Sequence, residues 1–392
     1  MPNYEHLIIG GGMTADAAVN AIRQRDGSAS IGIISADADP PYNRPPLTKG
    51  LWKGDSEDSV WRHTPEKGVT IHQGRRATTL DTPSKTVTDD GGESYSYGKL
   101  LLATGGRVRE LPNAPEGIIY YRSFADYRNL RSQLKPGASV CVIGGGFIGS
   151  ELAAGLAMND AKVTVVFPED GIGARVYPAA LSSHLNEYYR GHGVDVLDRE
   201  SVSSIVRSGN GYRISIESGK TVDADIIAAG IGIVPDTELA EQAGLRVENG
   251  IVVDEHLQTS APDVYSAGDV ANFANAALGT RMRVEHEDNA NTMGALAGAN
   301  MAGDSQRYDY LPMFYSDLFD LGYEAVGLLD ARLETVEDWK KPFEEGVIYY
   351  LDGGRVRGVL LWNTWDQVDN ARALITEPGP FTAEQLKGKL PK

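Results

Sequence analysis

At 392 residues the chain is long enough for two or three domains, each with its own core. Fifty-four acidic residues against 37 basic ones give a net charge of −17, which argues against nucleic acid and anionic membranes as partners. A single cysteine, Cys141, excludes a disulfide framework, a cysteine metal site and a dithiol relay within one chain.

The chain opens on an apolar strand, Leu7-Ile8-Ile9, followed by Gly10-Gly11-Gly12-Met13-Thr14 and a helical segment over Ala15–Arg23. Glycines after a strand let the backbone turn sharply and approach a pyrophosphate, and the helix N-terminus offers unpaired N–H groups and a positive dipole end. A strand within about six residues of the start leaves no room for a signal peptide, and no apolar run reaches the roughly 18 residues of a membrane span, so a cytoplasmic protein is expected. The second strand is Ile31–Ser35. Asp37 beyond it has two readings: a ribose acceptor or a loop cap. Asp39 to Trp52, stiffened by four prolines, reads either as a rigid surface loop or as a cofactor wall with Arg44 toward a pyrophosphate and Lys49 toward a flavin edge.

Short strands are expected over Val69–Asp81 and Lys85–Asp89 with a hairpin turn at Asp89–Gly92, then a buried strand Lys99–Gly106 and a helix from Arg122 to Leu134. Val140–Ile143 leads into Gly144-Gly145-Gly146-Phe147-Ile148-Gly149, a fuller G-x-G-x-x-G, before an Ala/Leu-rich helix containing Glu151. Two copies imply two nucleotides, one held and one exchanged. Cys141 lies inside this apolar strand pattern, where a buried, inert thiol is expected. Lys162–Val166 ends near Glu169, which reads as a ribose acceptor or a solvated acid; Arg175 is the nearest cation, so the tilt is toward NADH over NADPH. Ala224–Gly232 mirrors the earlier Leu101–Gly105 strand, so the duplication extends past the two fingerprints. Val264–Ser266 leads to Gly268-Asp269, and a small-residue helix from Arg283 to Ala302 is expected to lie close against another element. From Leu311 the composition shifts to strands over 314–317, 323–328, 346–351 and 356–362, a hairpin turn at Asp352-Gly353-Gly354, and a helix over Asp366–Ile375.

These motifs resemble, in order and over nearly the whole chain, the FAD-dependent pyridine nucleotide-disulfide oxidoreductases of the ferredoxin-reductase type, with most similarity to apoptosis-inducing-factor-like proteins. The segments that carry the resemblance include Gly10–Ala15, Pro41-Tyr42-Asn43-Arg44-Pro45-Pro46-Leu47-Thr48-Lys49, Ala103–Gly106, Gly144–Glu151, Ala267-Gly268-Asp269, Val284-Glu285-His286, Phe314-Tyr315-Ser316-Asp317 and Gly358–Asn363. The resemblance implies an α/β fold: two Rossmann-like, glutathione-reductase-type nucleotide-binding domains and a small C-terminal α+β domain. It implies an FAD-binding domain of residues 1–111 and 234–310, an NAD-binding domain of 112–233 and a lid of 311–392. It implies FAD held by Gly10, Gly11, Gly12, Met13, Thr14, Asp37, Arg44, Lys49, Ala77, Arg122, Asp269, His286, Glu287 and Tyr315. NADH would meet Gly145, Gly146, Phe147, Ile148, Glu169, Arg175, Gly230, Glu285 and Glu324.

Lys49 and Glu151 would form an ion pair at the flavin edge, where a cation favours reduced flavin and the carboxylate keeps the lysine charged. Phe147 would gate or stack on the nicotinamide, against the plainer reading of a core aromatic; His286 completes the implied catalytic set. The chain departs from the ferredoxin reductases in His286, where they carry tryptophan, and from both groups in Tyr315, which replaces the tryptophan of an F-W-S-D segment. The stretch 331–346 is far too short for the long insertion of the animal apoptosis proteins.

The expected activity is an NADH-dependent reductase that passes electrons from flavin to a ferredoxin- or rubredoxin-type carrier, working as monomer or homodimer. Arg107, Arg109, Arg122, Arg128 and Arg131 are either a docking patch for an acidic carrier or scattered solvated cations. The rival reading is a slow NADH redox sensor whose conformation or dimerisation changes on reduction. A quinone reductase ranks last, because the tail 380–392 is short and mixed rather than amphipathic.

Overall fold

The computed structural model describes residues 1–390; of the tail weighed above, Pro391 and Lys392 lie outside the described residues. The chain divides into two compact units. The first comprises residues 1–44, 58–107 and 234–312, the second residues 45–57, 108–233 and 313–392.

The first unit is built on a mixed sheet whose strand Asn3–Ile9 runs parallel to Ile31–Ser35 on one side and to Ser94–Leu102 on the other. Leu7 and Ile8 are fully buried, as expected of a strand covered on both faces. Ser94–Leu102 starts earlier than the expected Lys99–Gly106 strand because its other edge serves two further partners in succession. Its first half pairs antiparallel with Thr86–Asp89 and its last three residues pair parallel with Val264–Ser266. The helix Met13–Arg25 packs on the helix Glu287–Met301. A Cβ on Gly294 would lie 2.4 Å from the Thr14 carbonyl oxygen, and one on Gly298 would lie 2.3 Å from that of Ala18. The small-residue helix therefore lies close against another element, as its composition predicts, and the absence of side chains is what permits the approach.

In the second unit five parallel strands run in the order 195–197, 162–166, 139–143, 226–229 and 119–120. Ser123 caps the Phe124–Gln133 helix in a reciprocal box with Asp126. A three-stranded antiparallel sheet, Val202–Ser208, Gly211–Ile216 and Thr221–Ala224, is an element the sequence reading passed over. The C-terminal region forms a five-stranded antiparallel sheet in the order 313–318, 321–327, 355–362, 345–352 and 334–341. Asp352 pairs with Arg355 across Gly353 and Gly354, at φ +57° and +76°, which is the predicted hairpin turn. The Glu334–Lys341 edge strand was not predicted; its alternation is masked by charged residues. The helix Val368–Thr376 covers one face of this sheet. Among the described residues no helix is long and apolar enough to cross a membrane.

Candidate active site

Each glycine-rich turn is held by contacts that only glycine permits. Gly10 sits at φ +109° with a Cβ position 2.1 Å from the Ala103 carbonyl oxygen, and Gly144 sits at φ +116° with one 2.5 Å from that of Gly230. A Cβ on Gly149 would fall 1.9 Å from the Gly144 oxygen, so the third glycine lets the helix close on the turn. A Cβ on Gly230 would lie 2.9 Å from the Gly149 amide nitrogen. By contrast, Gly12 and Gly146 face open space, with nothing within 4 Å. Both are helix N-caps with no side-chain cap, so the first N–H groups of each helix remain available. A narrow turn, an open face and unsatisfied donors at a positive dipole end fit the pyrophosphate of a dinucleotide at each place.

In the first unit Met13 and Thr14 are buried at the helix start, and Thr14 Oγ1 packs where a Cβ on Gly268 would be. Asp37 caps its loop: it accepts from the Tyr42 hydroxyl (3.0 Å) and the Asp39 amide (3.2 Å). Arg44 stacks 5.1 Å from the Tyr42 ring centre. Ala77 begins a strand paired with Thr86–Asp89. Asp269 lies in a single turn beside Gly268, and its carbonyl accepts from Arg283 (2.9 Å). Arg283 also pairs with Glu285 at 2.5 Å. His286 is the N-cap of the Glu287–Met301 helix, so Glu287 occupies its first turn.

This unit also holds a charged cluster that sequence reading missed. Asp16, 3% exposed at its side chain, accepts from Lys67 (2.5 Å), Thr64 (2.5 Å), Arg62 (2.9 Å) and Asn20 (3.0 Å). Burial pushes its carboxyl up, but the donors from Lys67, Thr64 and Arg62 outweigh that and hold it below the usual carboxylate range.

The second unit brings together Lys49 and Glu151, 102 positions apart. Lys49 Nζ lies 2.6 Å from Glu151 Oε1, with side chains only 11% and 3% exposed. Ser316 Oγ donates to Oε1 and Thr48 Oγ1 to Oε2, each at 2.5 Å. An ionised carboxylate so far out of water costs several kcal/mol unless its lone pairs are filled, and here three donors fill them. The lysine ammonium also lies 5.1 Å from the Tyr315 ring centre. The segment that carries Lys49 is fixed from below. Trp52 Nε1 (2.8 Å) and the Tyr121 hydroxyl both donate to the Leu47 carbonyl, and Asn159 donates to that of Trp52 (2.8 Å). A Cβ on Gly155 would come within 3.0 Å of the Trp52 ring, so the segment lies tightly on the Phe147–Ala157 helix. Phe147 is half-buried and meets Phe314 edge-to-face at 5.7 Å, while Ile148 is exposed.

Glu169 pairs with Arg175 at 2.6 Å beyond the strand end. Glu324 carries a buried Oε2 with no protein partner, and burial together with the nearby Asp366 pushes its carboxyl up. Such an orphaned acceptor fits an amide NH₂ of a bound nucleotide. Arg122 precedes the Ser123 cap, its amide donating to Asp126 at 3.1 Å. Arg107 belongs to the first unit and pairs with Asp236 at 3.4 Å. In the second, Arg128 pairs with Glu57 at 2.9 Å and Arg131 stacks over Trp52. Cys141 is fully buried, and burial pushes its thiol up to about 12, which agrees with the inert state expected.

Comparison with known proteins gives concordant matches. A family model described as pyridine nucleotide-disulphide oxidoreductase matches residues 4–294, and one for the C-terminal part of mitochondrion-associated apoptosis-inducing factor matches 297–345. The ferredoxin–NAD(+) reductase component of the anthranilate 1,2-dioxygenase system of Burkholderia cepacia is 33% identical over 97% of this chain and 96% of its own length. Apoptosis-inducing factor 1 of Dictyostelium discoideum is 34% identical over 95% of this chain and 78% of its own. A solved covalent complex of putidaredoxin reductase with putidaredoxin superposes with a TM-score of 0.91 at 28% identity, covering 98% of this chain and 95% of that one.

Proposed function

We propose that this chain, which belongs to the pyridine nucleotide-disulphide oxidoreductase family, is an NADH-dependent flavoprotein reductase that passes electrons to a small ferredoxin- or rubredoxin-type carrier. One observation carries the reading. A buried lysine–glutamate pair, its carboxylate hydrogen-bonded at both oxygens, accompanies two nucleotide turns in a chain whose single thiol is inert. Without a second cysteine no dithiol relay can form within the chain, so a bound flavin would itself supply the electrons to the carrier. The domain division goes with this reading: FAD on residues 1–111 and 234–310, NADH on 112–233, and a lid of 311–392.

When bound, FAD supplies hydride acceptance from NADH and the onward release of electrons one at a time. The chain supplies binding, orientation and electrostatics. Gly10 to Thr14, with Asp37, Arg44, Ala77, Arg122, Asp269, His286, Glu287 and Tyr315, hold the flavin nucleotide. Gly145 to Ile148, Gly230, Glu285 and Glu324 hold NADH, and Glu169 takes its ribose hydroxyls. Arg175, paired with Glu169 at the surface, also meets NADH, and with a carboxylate rather than an arginine cluster at the strand end, NADH is preferred to NADPH. Phe147 lines the nicotinamide face. Lys49, paired with Glu151 in a dry setting, places its charge at the flavin edge, where it favours the reduced form. A cytoplasmic location belongs to the same reading.

The test is steady-state reduction of a [2Fe–2S] ferredoxin and of a rubredoxin by the purified holoprotein. Brisk reduction with NADH and weak reduction with NADPH is the expected result; no reduction of either carrier would sink it. The match of residues 297–345 to the apoptosis-inducing factor C-terminal model favours one second reading, an NADH redox sensor with slow turnover. It predicts a change in sedimentation on adding NADH and slow reoxidation by every carrier.

A further inference from the structure

Glu151 is held by more than its lysine, and the extra donors come from two distant stretches of chain. Thr48 immediately precedes Lys49, whereas Ser316 lies on the strand Met313–Leu318. Each hydroxyl donates to a different carboxylate oxygen at 2.5 Å, and Thr48, Glu151 and Ser316 are 6%, 3% and 1% exposed. A carboxylate gripped at both oxygens cannot rotate about its terminal bond. Its Oε1 is therefore fixed, and with it the place 2.6 Å away where the Lys49 ammonium sits. A lone ion pair would leave that ammonium free to swing on its four-carbon stem.

The Met313–Leu318 strand closes the arrangement from its other side. Residue alternation buries Phe314 and Ser316 and leaves Tyr315 half-exposed, and the Tyr315 ring lies beneath the same ammonium. We propose that Thr48 and Ser316 are positioning residues that fix the Lys49 charge through Glu151, and that the Met313–Leu318 strand thereby sets the electrostatics at the reacting edge. The inference rests on the reductase reading above.

The experiment uses holoprotein carrying T48V, S316A and both changes, each also in an E151Q background, with T48S and S316T as conservative controls. Three quantities are read: the flavin midpoint potential, its visible spectrum, and the single-turnover rate of bleaching by NADH. In T48V/S316A the potential shifts, the spectrum changes, and bleaching slows between about 10- and 100-fold, the loss that ångström-scale misplacement of a fixed group brings. T48S and S316T restore all three readouts. In E151Q the two hydroxyl deletions add nothing, because the carboxylate they grip is gone.

A double variant with wild-type potential and rate overturns the proposal, as does an effect of equal size in the E151Q background. If the double variant fails to fold, the single variants and the conservative pair carry the same comparison. Wild-type protein that NADH does not bleach would instead remove the reductase reading itself, so the two failures are distinguishable.

Discussion

Asp16 and Glu151 each sit in the first turns of a helix that follows a glycine turn, and each is buried with a lysine and a threonine as donors. Their surroundings differ. Asp16 faces two cations and an asparagine, and Arg62 goes on to bond Asn43 (2.6 Å) and Asn291 (2.8 Å). It ties three stretches of its own unit together. Glu151 faces one cation, which also meets an aromatic ring and belongs to the proline-stiffened segment that the resemblance assigns to the flavin. Near-identical chemistry thus yields a structural knot in one unit and a candidate reaction centre in the other. A buried ion pair alone is therefore no sign of a site.

That contrast can be broken by substitution. The largest effect on stability is expected for D16A. It leaves the partly buried Arg62 and Lys67 without their acid and should cost about 3 kcal/mol in urea unfolding, while bleaching by NADH in the folded fraction stays at the wild-type rate. E151Q should do the reverse in kind, slowing bleaching about 10- to 100-fold in stopped flow, with a smaller stability loss because only one cation loses its partner. Equal rate losses in both variants would erase the distinction. G294A forces a Cβ toward the Thr14 carbonyl and should cost about 1–3 kcal/mol by overpacking, measured as a lowered urea midpoint.

The pH dependence sharpens the comparison further. Asp16 is held below its usual range on folding, so its contribution is present above its unfolded value and is lost as pH falls through the folded one. The stability gap between wild type and D16N should hold steady near neutrality and close below about pH 4. A gap that widens in acid would contradict the hydrogen-bond pattern. The smallest effect expected is at Cys141, which should resist alkylation at mildly alkaline pH until the protein unfolds.

How much of this was legible in the sequence depends on how local each signal is. The two glycine turns were readable because strand, turn and helix follow one another within a dozen residues, and Gly144 and Gly149 carry their own steric reason. The Lys49–Glu151 pair was readable only through resemblance, since nothing in either segment names a partner a hundred residues away. Thr48 and Ser316 stood inside the quoted motifs without a role, although strand alternation around Phe314 pointed Ser316 inward. Asp16 was missed outright. Three of its four donors lie 46 to 51 positions downstream, and an acid between alanines reads as an ordinary helix position. The Val202–Ala224 sheet had an alternating pattern at Tyr212, Ile214 and Ile216, but its strands are short and their outer residues exposed.

The most direct test of the central claim is an anaerobic titration of the purified protein with NADH, followed in the flavin absorbance bands and then by addition of an oxidised ferredoxin. Rapid bleaching near one equivalent per flavin and rapid recovery on adding the carrier is the predicted result. A protein that purifies without a flavin spectrum, or whose flavin NADH leaves oxidised, would contradict it.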